Sequence, residues 1–358
     1  GGAKRLVTTA TGIDVTNNNQ TNGAILSITN SFEGSGWDAG DTIGSIDFRT
    51  DDSSTTQPIR GQIKVFDDAA SGSTYPYANA MSFSTGSLNT LNERFRISSD
   101  GSLSTPTLGT SNVRFGVNAG NSIASGGNYN TVVGDEAGTA ITTGDDNTSV
   151  GYKAGYTLTT GTNNILIGGN AGDAITTGSE NVALGRASLS SDTLGNSSVA
   201  IGHQALFTQN FTSTTSSHNV AVGKNAGLSV TTGVQNTLIG SLAGDTITTA
   251  SANTAVGYAS LSANTTGASN VSVGVGALSA NTTASNNTAV GTSSLTANTT
   301  GTSNTALGFA SLSANTTANN NTAVGFVALQ ANTTGSENVA VGRSALGANT
   351  TGDSNIAL

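Results

Sequence analysis

Two acidic pairs, Asp135-Glu136 and Asp145-Asp146, are the residues of this chain best suited to acid–base chemistry. Hydrolysis of a glycosidic bond needs two carboxyl groups that face each other across a groove. Here the carboxylates are neighbours in sequence, which is more typical of a solvated corner. We therefore predict that the chain is not an enzyme, and glycan cleavage stays open as an alternative.

A second group of acids lies near the N-terminus, at Asp38, Asp41, Asp51 and Asp52. Carboxylate oxygens are the ligands that calcium prefers, but the spacing of these four matches no calcium-binding loop. The single tryptophan, Trp37, is expected to pack over a small core or a subunit interface rather than to bind carbohydrate. No metal site and no cofactor is predicted.

Both histidines, His203 and His218, lie in one stretch together with Phe207 and Phe211. We predict that this stretch forms a protruding loop, which could contact a receptor or a metal ion. Two histidines fifteen residues apart are a weak metal pattern without a third ligand. The alternative is a local bulge whose phenylalanines pack on a neighbouring chain.

Regularly spaced glycines place this stretch within a repeat. The intervals between successive anchor glycines are 17 residues in eleven of thirteen cases, and the exceptions are 18 and 21. The long interval is the one that contains the histidines. A fixed short period indicates one structural unit stacked on copies of itself. The anchor glycines are Gly116, Gly134, Gly151, Gly168, Gly185, Gly202, Gly223, Gly240, Gly257, Gly274, Gly291, Gly308, Gly325 and Gly342.

Numbering each repeat from its anchor glycine as position 0 shows a strand pattern before the glycine. Position −3 is β-branched, position −2 is mostly small, position −1 is large and apolar, and position −4 is asparagine except at Ser198. Alternation and β-branching favour a strand with −3 and −1 on one face. The structural repeat anchors are Asn253, Val256, Gly257, Leu261, Asn270, Gly274, Leu278, Asn287, Gly291 and Leu295.

Three further expectations follow from the repeat. The leucine found at position +4 in many copies is predicted to lie on a second strand and to pack under the first. The asparagines at −4 are predicted to stack as an amide ladder. The anchor glycine is predicted to have a positive φ or to allow close approach of two backbones.

The fold class predicted is therefore all-β, a repetitive parallel β-roll or solenoid with 17-residue coils. Residues 117–358 form the roll, and 105–116 form a linker and the entry to the first coil. Residues 1–104 form a small β-rich domain, because short alternating runs such as Thr42–Phe48 are separated by polar loops. The Ala/Ser-lined face of the roll is predicted to be covered by other copies of the chain; a solvated face is the alternative.

Composition restricts the partners. The net charge of −9 makes nucleic acid an unsuitable partner. No apolar run is long enough for a membrane helix, so membrane insertion is not predicted. The chain has no cysteine, so its stability must come from backbone ladders and subunit contacts rather than from disulfides.

The unit Asn253-Thr254-Ala255-Val256-Gly257 resembles the head repeat of trimeric autotransporter adhesins. That resemblance implies a left-handed parallel β-roll of three chains side by side. The family's usual period is shorter than 17 residues, so the corners must differ here. The 17-residue form with Asn-Thr-Thr-Gly corners looks more like phage tail-fibre proteins, and the run from Glu93 to Gly101 resembles the arginine-rich strand and turn before their shaft.

The resemblance implies a function for the chain. We expect a structural fibre protein of a phage virion, a homotrimer that attaches to a host-surface glycan or protein and contacts other tail or baseplate proteins. A bacterial trimeric autotransporter-like adhesin on the cell surface is the first alternative, and a tailspike-type glycan depolymerase is the second. The family's chaperone domain is not in this sequence, and the chain stops one residue before the next anchor glycine; both suggest a piece of a longer product or a cleaved form.

Overall fold

The structure is a computed structural model that describes residues 5–9, 12–16, 42–49, 59–67, 79–87, 90–98, 103–105 and 108–358. All regular secondary structure in these residues is β-strand, which confirms the all-β prediction. The chain divides into two compact units, residues 1–106 and 107–358. None of the described segments is a helix that could cross a bilayer. Trp37 and the four acids considered for calcium, Asp38, Asp41, Asp51 and Asp52, lie outside the described residues.

The first unit contains two antiparallel sheets. Strands β1 (Arg5–Thr9) and β2 (Gly12–Thr16) form one pair. A five-stranded sheet follows in chain order, with β3 (Thr42–Arg49), β4 (Ile59–Asp67), β5 (Asn79–Ser87), β6 (Thr90–Ile97) and β7 (Leu103–Ser104). In β6, the Arg96 Nε lies 2.8 Å from the Glu93 carboxylate. The Arg96 guanidinium also lies 4.9 Å from the centroid of the Phe66 ring.

The second unit is a parallel β-solenoid. One short strand per coil pairs in register with the equivalent strand of the next coil, so that Thr254 lies opposite Val271 and Val256 opposite Val273. This confirms the predicted solenoid of 17-residue coils. The fifteen strands of its sheet are β8 (Val113–Phe115), β9 (Thr131–Val133), β10 (Thr148–Val150), β11 (Ile165–Ile167), β12 (Val182–Leu184), β14 (Val199–Ile201), β16 (Val220–Val222), β17 (Thr237–Ile239), β18 (Thr254–Val256), β19 (Val271–Val273), β20 (Thr288–Val290), β21 (Thr305–Leu307), β22 (Thr322–Val324), β23 (Val339–Val341) and β24 (Ile356–Ala357).

Burial alternates along each solenoid strand. From β9 to β23, position −2 points inward and is fully buried, as at Ala255, Ala289 and Ala323, whereas −3 and −1 are partly exposed. The expectation that the small residues form an open face is therefore wrong. In most coils the strand contributes a small residue to the interior and its larger side chains face outward. Val132, Leu166 and Leu238 are the exceptions, fully buried at −2 in coils that have glycine at +4.

The predicted second strand is also absent from the regular coils. Positions +3 and +4 lie in turns, yet the leucines at +4, such as Leu261, Leu278 and Leu295, are fully buried beneath the strand. These leucines have positive φ, 56° at Leu261 and 48° at Leu278. A left-handed residue is incompatible with an extended strand, so this part of the coil turns instead.

The anchor glycine has the backbone conformation that the sequence predicts. Gly257 has φ +132°, and a Cβ built there would lie 2.6 Å from the carbonyl oxygen of Gly274 on the next coil. Both predicted reasons for glycine are therefore met at this position. The same close approach to the following anchor repeats along the solenoid.

The asparagines at −4 form the predicted ladder. Except at Asn219, which follows the Ser198 rung, the backbone N–H donates to the side-chain oxygen of the preceding rung, as Asn270 N donates to Asn253 Oδ1 at 3.0 Å. Asn270 Nδ2 donates to the Ala284 carbonyl at 2.9 Å, so the buried amide has partners on both sides. A second ladder occurs at position +7, where Asn281 Nδ2 donates to Asn264 Oδ1 at 2.9 Å and the pattern continues to Asn349.

Two types of coil differ in where their large interior side chain originates. Leucine-type coils have leucine at +4 and a polar residue at +7; glycine-type coils have glycine at +4 and an aliphatic residue at +7. A Cβ on Gly244 would lie 2.7 Å from the Ile247 Cδ1 atom, so the two positions compete for the same space. The glycine-type pairs are Gly120/Ile123, Gly138/Ile141, Gly155/Leu158, Gly172/Ile175, Gly227/Val230 and Gly244/Ile247.

Candidate functional site: the outer surface of the solenoid

The outer face of the solenoid sheet is apolar. Its two columns of side chains, at −3 and −1, consist of threonine, valine, isoleucine, leucine and one phenylalanine. Leu184 is 41% exposed and Leu307 is 47% exposed, although both belong to strands that pair on both sides. A continuous apolar surface of this kind is typical of a protein–protein interface. We call the −3 and −1 columns the outer strand face.

A third column, at position +1, lies beside the outer strand face. Near the C-terminal end it contains Phe309 and Phe326, which are stacked with ring centroids 5.4 Å apart. The Arg343 guanidinium of the next coil lies 5.6 Å from the Phe326 centroid. Both rings remain about half exposed, so the apolar surface extends from the strands onto this corner.

The remaining outer positions are polar. Position −5 carries Ser269, Asn286 and Ser303, which are exposed. Position +9 carries threonine in most coils, for example Thr266 and Thr283, and these are exposed as well. One side of each coil is therefore apolar and another is hydroxyl- and amide-rich, so the solenoid is amphipathic in cross-section.

The four residues of the predicted protruding loop lie at different places in the coil. His203 occupies position +1 and His218 position −5, both regular corner positions of their coils. Phe207 is partly buried, and Phe211 is only 5% exposed. The insertion itself exposes Thr212–Thr214, after which β15 (Thr215–Ser216) pairs with β13 (Gly195–Asn196). No group of three histidine, cysteine, aspartate or glutamate side chains within the described part of the chain could hold a metal ion.

Beneath the insertion, a buried polar network replaces one rung of the −4 ladder. Gln209 Nε2 donates to Asp192 Oδ2 at 2.7 Å and to Ser198 Oγ at 2.8 Å. Gln209 Oε1 accepts from Asn219 Nδ2 at 2.8 Å. The asparagine missing at Ser198 is therefore replaced by a glutamine that reaches across from position +7. Sequence reasoning missed this network, although Ser198 was visible as the one departure from asparagine.

Asp192 is the only charged residue among the fully buried side chains of the described chain. Burial raises the pKa of its carboxyl group, while hydrogen bonds from Gln209 and Gly195 oppose the rise. The Gly195 N–H donates to Asp192 Oδ1 at 3.0 Å. In the leucine-type coils from Gly257 onward this position is asparagine, which cannot ionise.

The two candidate acidic pairs have structural contacts. Glu136 forms an ion pair with Lys153, at 3.3 Å between Oε2 and Nζ. Asp145 Oδ1 accepts the backbone N–H of Asn128 on the preceding coil at 2.6 Å. Asp353 makes the equivalent contact with Ser336 N at the other end of the solenoid, 2.7 Å away. Asp145 thus has the same structural role as a residue far from any acidic pair.

Comparison with known proteins adds no assignment: no protein-family profile, no curated protein and no solved structure matches this chain.

Proposed function

We propose that the chain is a structural fibre protein of a phage virion that attaches the particle to a host-cell surface. The observation that carries this proposal is the uninterrupted solenoid, in which fifteen in-register strands form one long sheet. Such a sheet holds its two ends at a fixed distance, which suits a protein that spans space and displays a surface.

We propose further that the working form is a homotrimer whose chains cover one another's outer strand faces. The apolar columns at −3 and −1 support this, since leaving them in water forfeits the free energy of burying them. The polar −5 and +9 columns would then face solvent. The number of chains, three, is inferred from the resemblance of the repeat to the heads of trimeric fibres.

The attachment role is expected to be non-enzymatic. In the acidic pairs that were candidates for glycan cleavage, Glu136 forms an ion pair with Lys153, and Asp145 accepts a hydrogen bond from the backbone of the preceding coil. Attachment by three identical chains would raise avidity without any one strong site. Host glycans or proteins and other tail or baseplate proteins are the partners that fit this role.

Immunoelectron microscopy tests the proposal. Antibodies raised against residues 107–358 are applied to phage particles and to bacterial cells from the same lysate. The proposal expects label on virion tails. Label confined to the bacterial envelope would contradict it and would favour a cell-surface adhesin instead. Preimmune serum on the same grids is the control.

A further inference from the structure

We propose that Arg186, His203 and Lys224, here called the basic strip, bind a linear acidic polysaccharide that runs along the solenoid. This inference rests on the proposed attachment function and names the chemistry of the attached molecule. Arg186 and Lys224 are exposed and His203 is partly exposed. All three occupy position +1, on three successive coils.

Backbone hydrogen bonds hold the three residues in register. Gln204 N donates to the Arg186 carbonyl at 3.1 Å, and Asn225 N donates to the His203 carbonyl at 2.9 Å. Successive coils of a parallel stack are about 4.8 Å apart. The strip therefore presents its side chains in a straight row along the axis rather than as a converging cluster.

The strip concentrates the positive charge of the solenoid. Residues 107–358 contain five lysines and arginines, and two of them are in this row. The side chains of Arg186 and Lys224 make no ion pair and no hydrogen bond with any described residue. Like charges on nearby rungs repel each other, and an anionic ligand would relieve that repulsion.

Unpaired polar atoms lie at the same place. His203 Nδ1 and the neighbouring Asn225 Oδ1 are buried and have no hydrogen-bond partner among the described residues. A buried polar atom without a partner is unusual and costs free energy. Both atoms are shielded from solvent, so the exposed side chains of Arg186 and Lys224, rather than these atoms, would contact the ligand.

Tyrosines lie in the same column beyond each end of the strip. Tyr152 and Tyr258 also occupy position +1, each two coils from the nearest member of the strip, and they are 51% and 56% exposed. An exposed aromatic side chain offers an apolar face with a polar tip, and both suit a sugar ring. The order along the axis is thus aromatic, basic, aromatic, which fits an extended chain of sugars with acidic groups.

Other anions fit the strip less well. The backbone N–H groups of Gln204 and Asn225 are already used between coils, so the corner offers no amide nest for a single phosphate. A polysaccharide with separated carboxylates matches a row of separated cations.

The test is binding of the full chain to polygalacturonate, with neutral dextran as the control polymer, measured by co-sedimentation. We expect binding to polygalacturonate only, weakening as sodium chloride rises from about 50 to about 200 mM. The double variant Arg186→Gln/Lys224→Gln should bind about tenfold more weakly. Its melting temperature should match the wild type, because both side chains are exposed.

The matched control is Arg343→Gln, which removes one cation from the same column outside the strip. We expect this variant to bind within about twofold of the wild type. Equal binding of dextran, equal binding by the double variant, or an equal loss in Arg343→Gln would overturn the inference. None of these results bears on whether the chain labels virion tails, so the two proposals fail separately.

Discussion

At the scale of single residues, the solenoid depends on backbone positions that tolerate only particular side chains. Glycine, asparagine and small interior residues recur because each satisfies a geometric need: a positive φ, a stacked amide, or a narrow core. The identity of these residues could be predicted from the sequence. The sequence did not predict which face of the strand is interior, because alternation defines two faces and does not indicate which one is buried. The small side chains of Ala255 and its equivalents fill a confined space rather than an interface.

Replacing Asp192 with asparagine is expected to stabilise the fold. Burial raises the pKa of Asp192, so its ionised form opposes folding at neutral pH. The stability that the neutral carboxyl contributes is fully present below its unfolded pKa and is lost as pH rises through the folded pKa. We expect Asp192→Asn to gain about 1–2 kcal/mol near pH 7 by thermal unfolding.

The pH profile provides the control for that variant. Acidification from about pH 7 to about pH 4 should stabilise the wild type more than Asp192→Asn, since asparagine does not titrate. Asn264 at the equivalent position shows how the amide would fit, with Nδ2 donating to the Gly267 carbonyl and Oδ1 accepting from Asn281. Parallel pH profiles for the two proteins would refute the assignment of Asp192 as a destabilising buried acid.

Substitution of an anchor glycine should be severe. Gly257→Ala places a Cβ 2.6 Å from the Gly274 carbonyl oxygen. The Cβ is fixed to the main chain and the oxygen belongs to it, so neither atom can move away freely. We expect a loss of about 2–4 kcal/mol in the free energy of unfolding. Gly342→Ala is the matched control, because its φ of +125° is close to that of Gly257 but the nearest atom to the added Cβ lies 3.9 Å away. Similar losses in both variants would show that φ alone, and not the close approach, requires glycine at the anchor.

At the scale of elements, the coil is one strand followed by turns. Its core is filled mainly by one large side chain at +4 or +7, with a second one at −2 in the coils of Val132, Leu166 and Leu238. The sequence favoured a second strand or extended arm because alanine or serine at +3 is followed by leucine or glycine at +4. The structure instead places Leu261 in the left-handed region, which propensity arguments do not anticipate for leucine. In the sequence, leucine at +4 occurs with a polar residue at +7, and glycine at +4 occurs with an aliphatic residue at +7. The structure explains this pairing, because the two positions share one space.

A coil-type exchange tests that view of the core. Leu261→Gly alone should cost about 2–5 kcal/mol through an unfilled interior, and Asn264→Ile alone should be destabilising through overpacking and loss of a ladder partner. The double variant should recover a large part of the summed loss, because it recreates the Gly244/Ile247 arrangement of the preceding coil. A double-mutant cycle in denaturant measures this coupling, and simple additivity would contradict the shared-space account.

At the scale of the whole molecule, the solenoid is amphipathic, with an apolar outer strand face and polar −5 and +9 columns. Fold class and repeat length could be predicted from glycine spacing because every coil repeats the same constraint. The basic strip and the polar network under the insertion could not be predicted, because each depends on single residues at positions that vary between repeats. Sequence reasoning placed the oligomer interface on the small residues, and the structure moves the proposed interface to the large ones.

The mass of the full chain in solution tests most directly whether copies of this chain cover the outer strand face. Multi-angle light scattering should give three times the 35.2 kDa chain mass. Leu184→Asp/Leu307→Asp, which charges two exposed positions of that face, should shift the mass toward one chain while circular dichroism still reports the β-solenoid. A wild-type mass of one chain, with the apolar face left in water, would contradict the account.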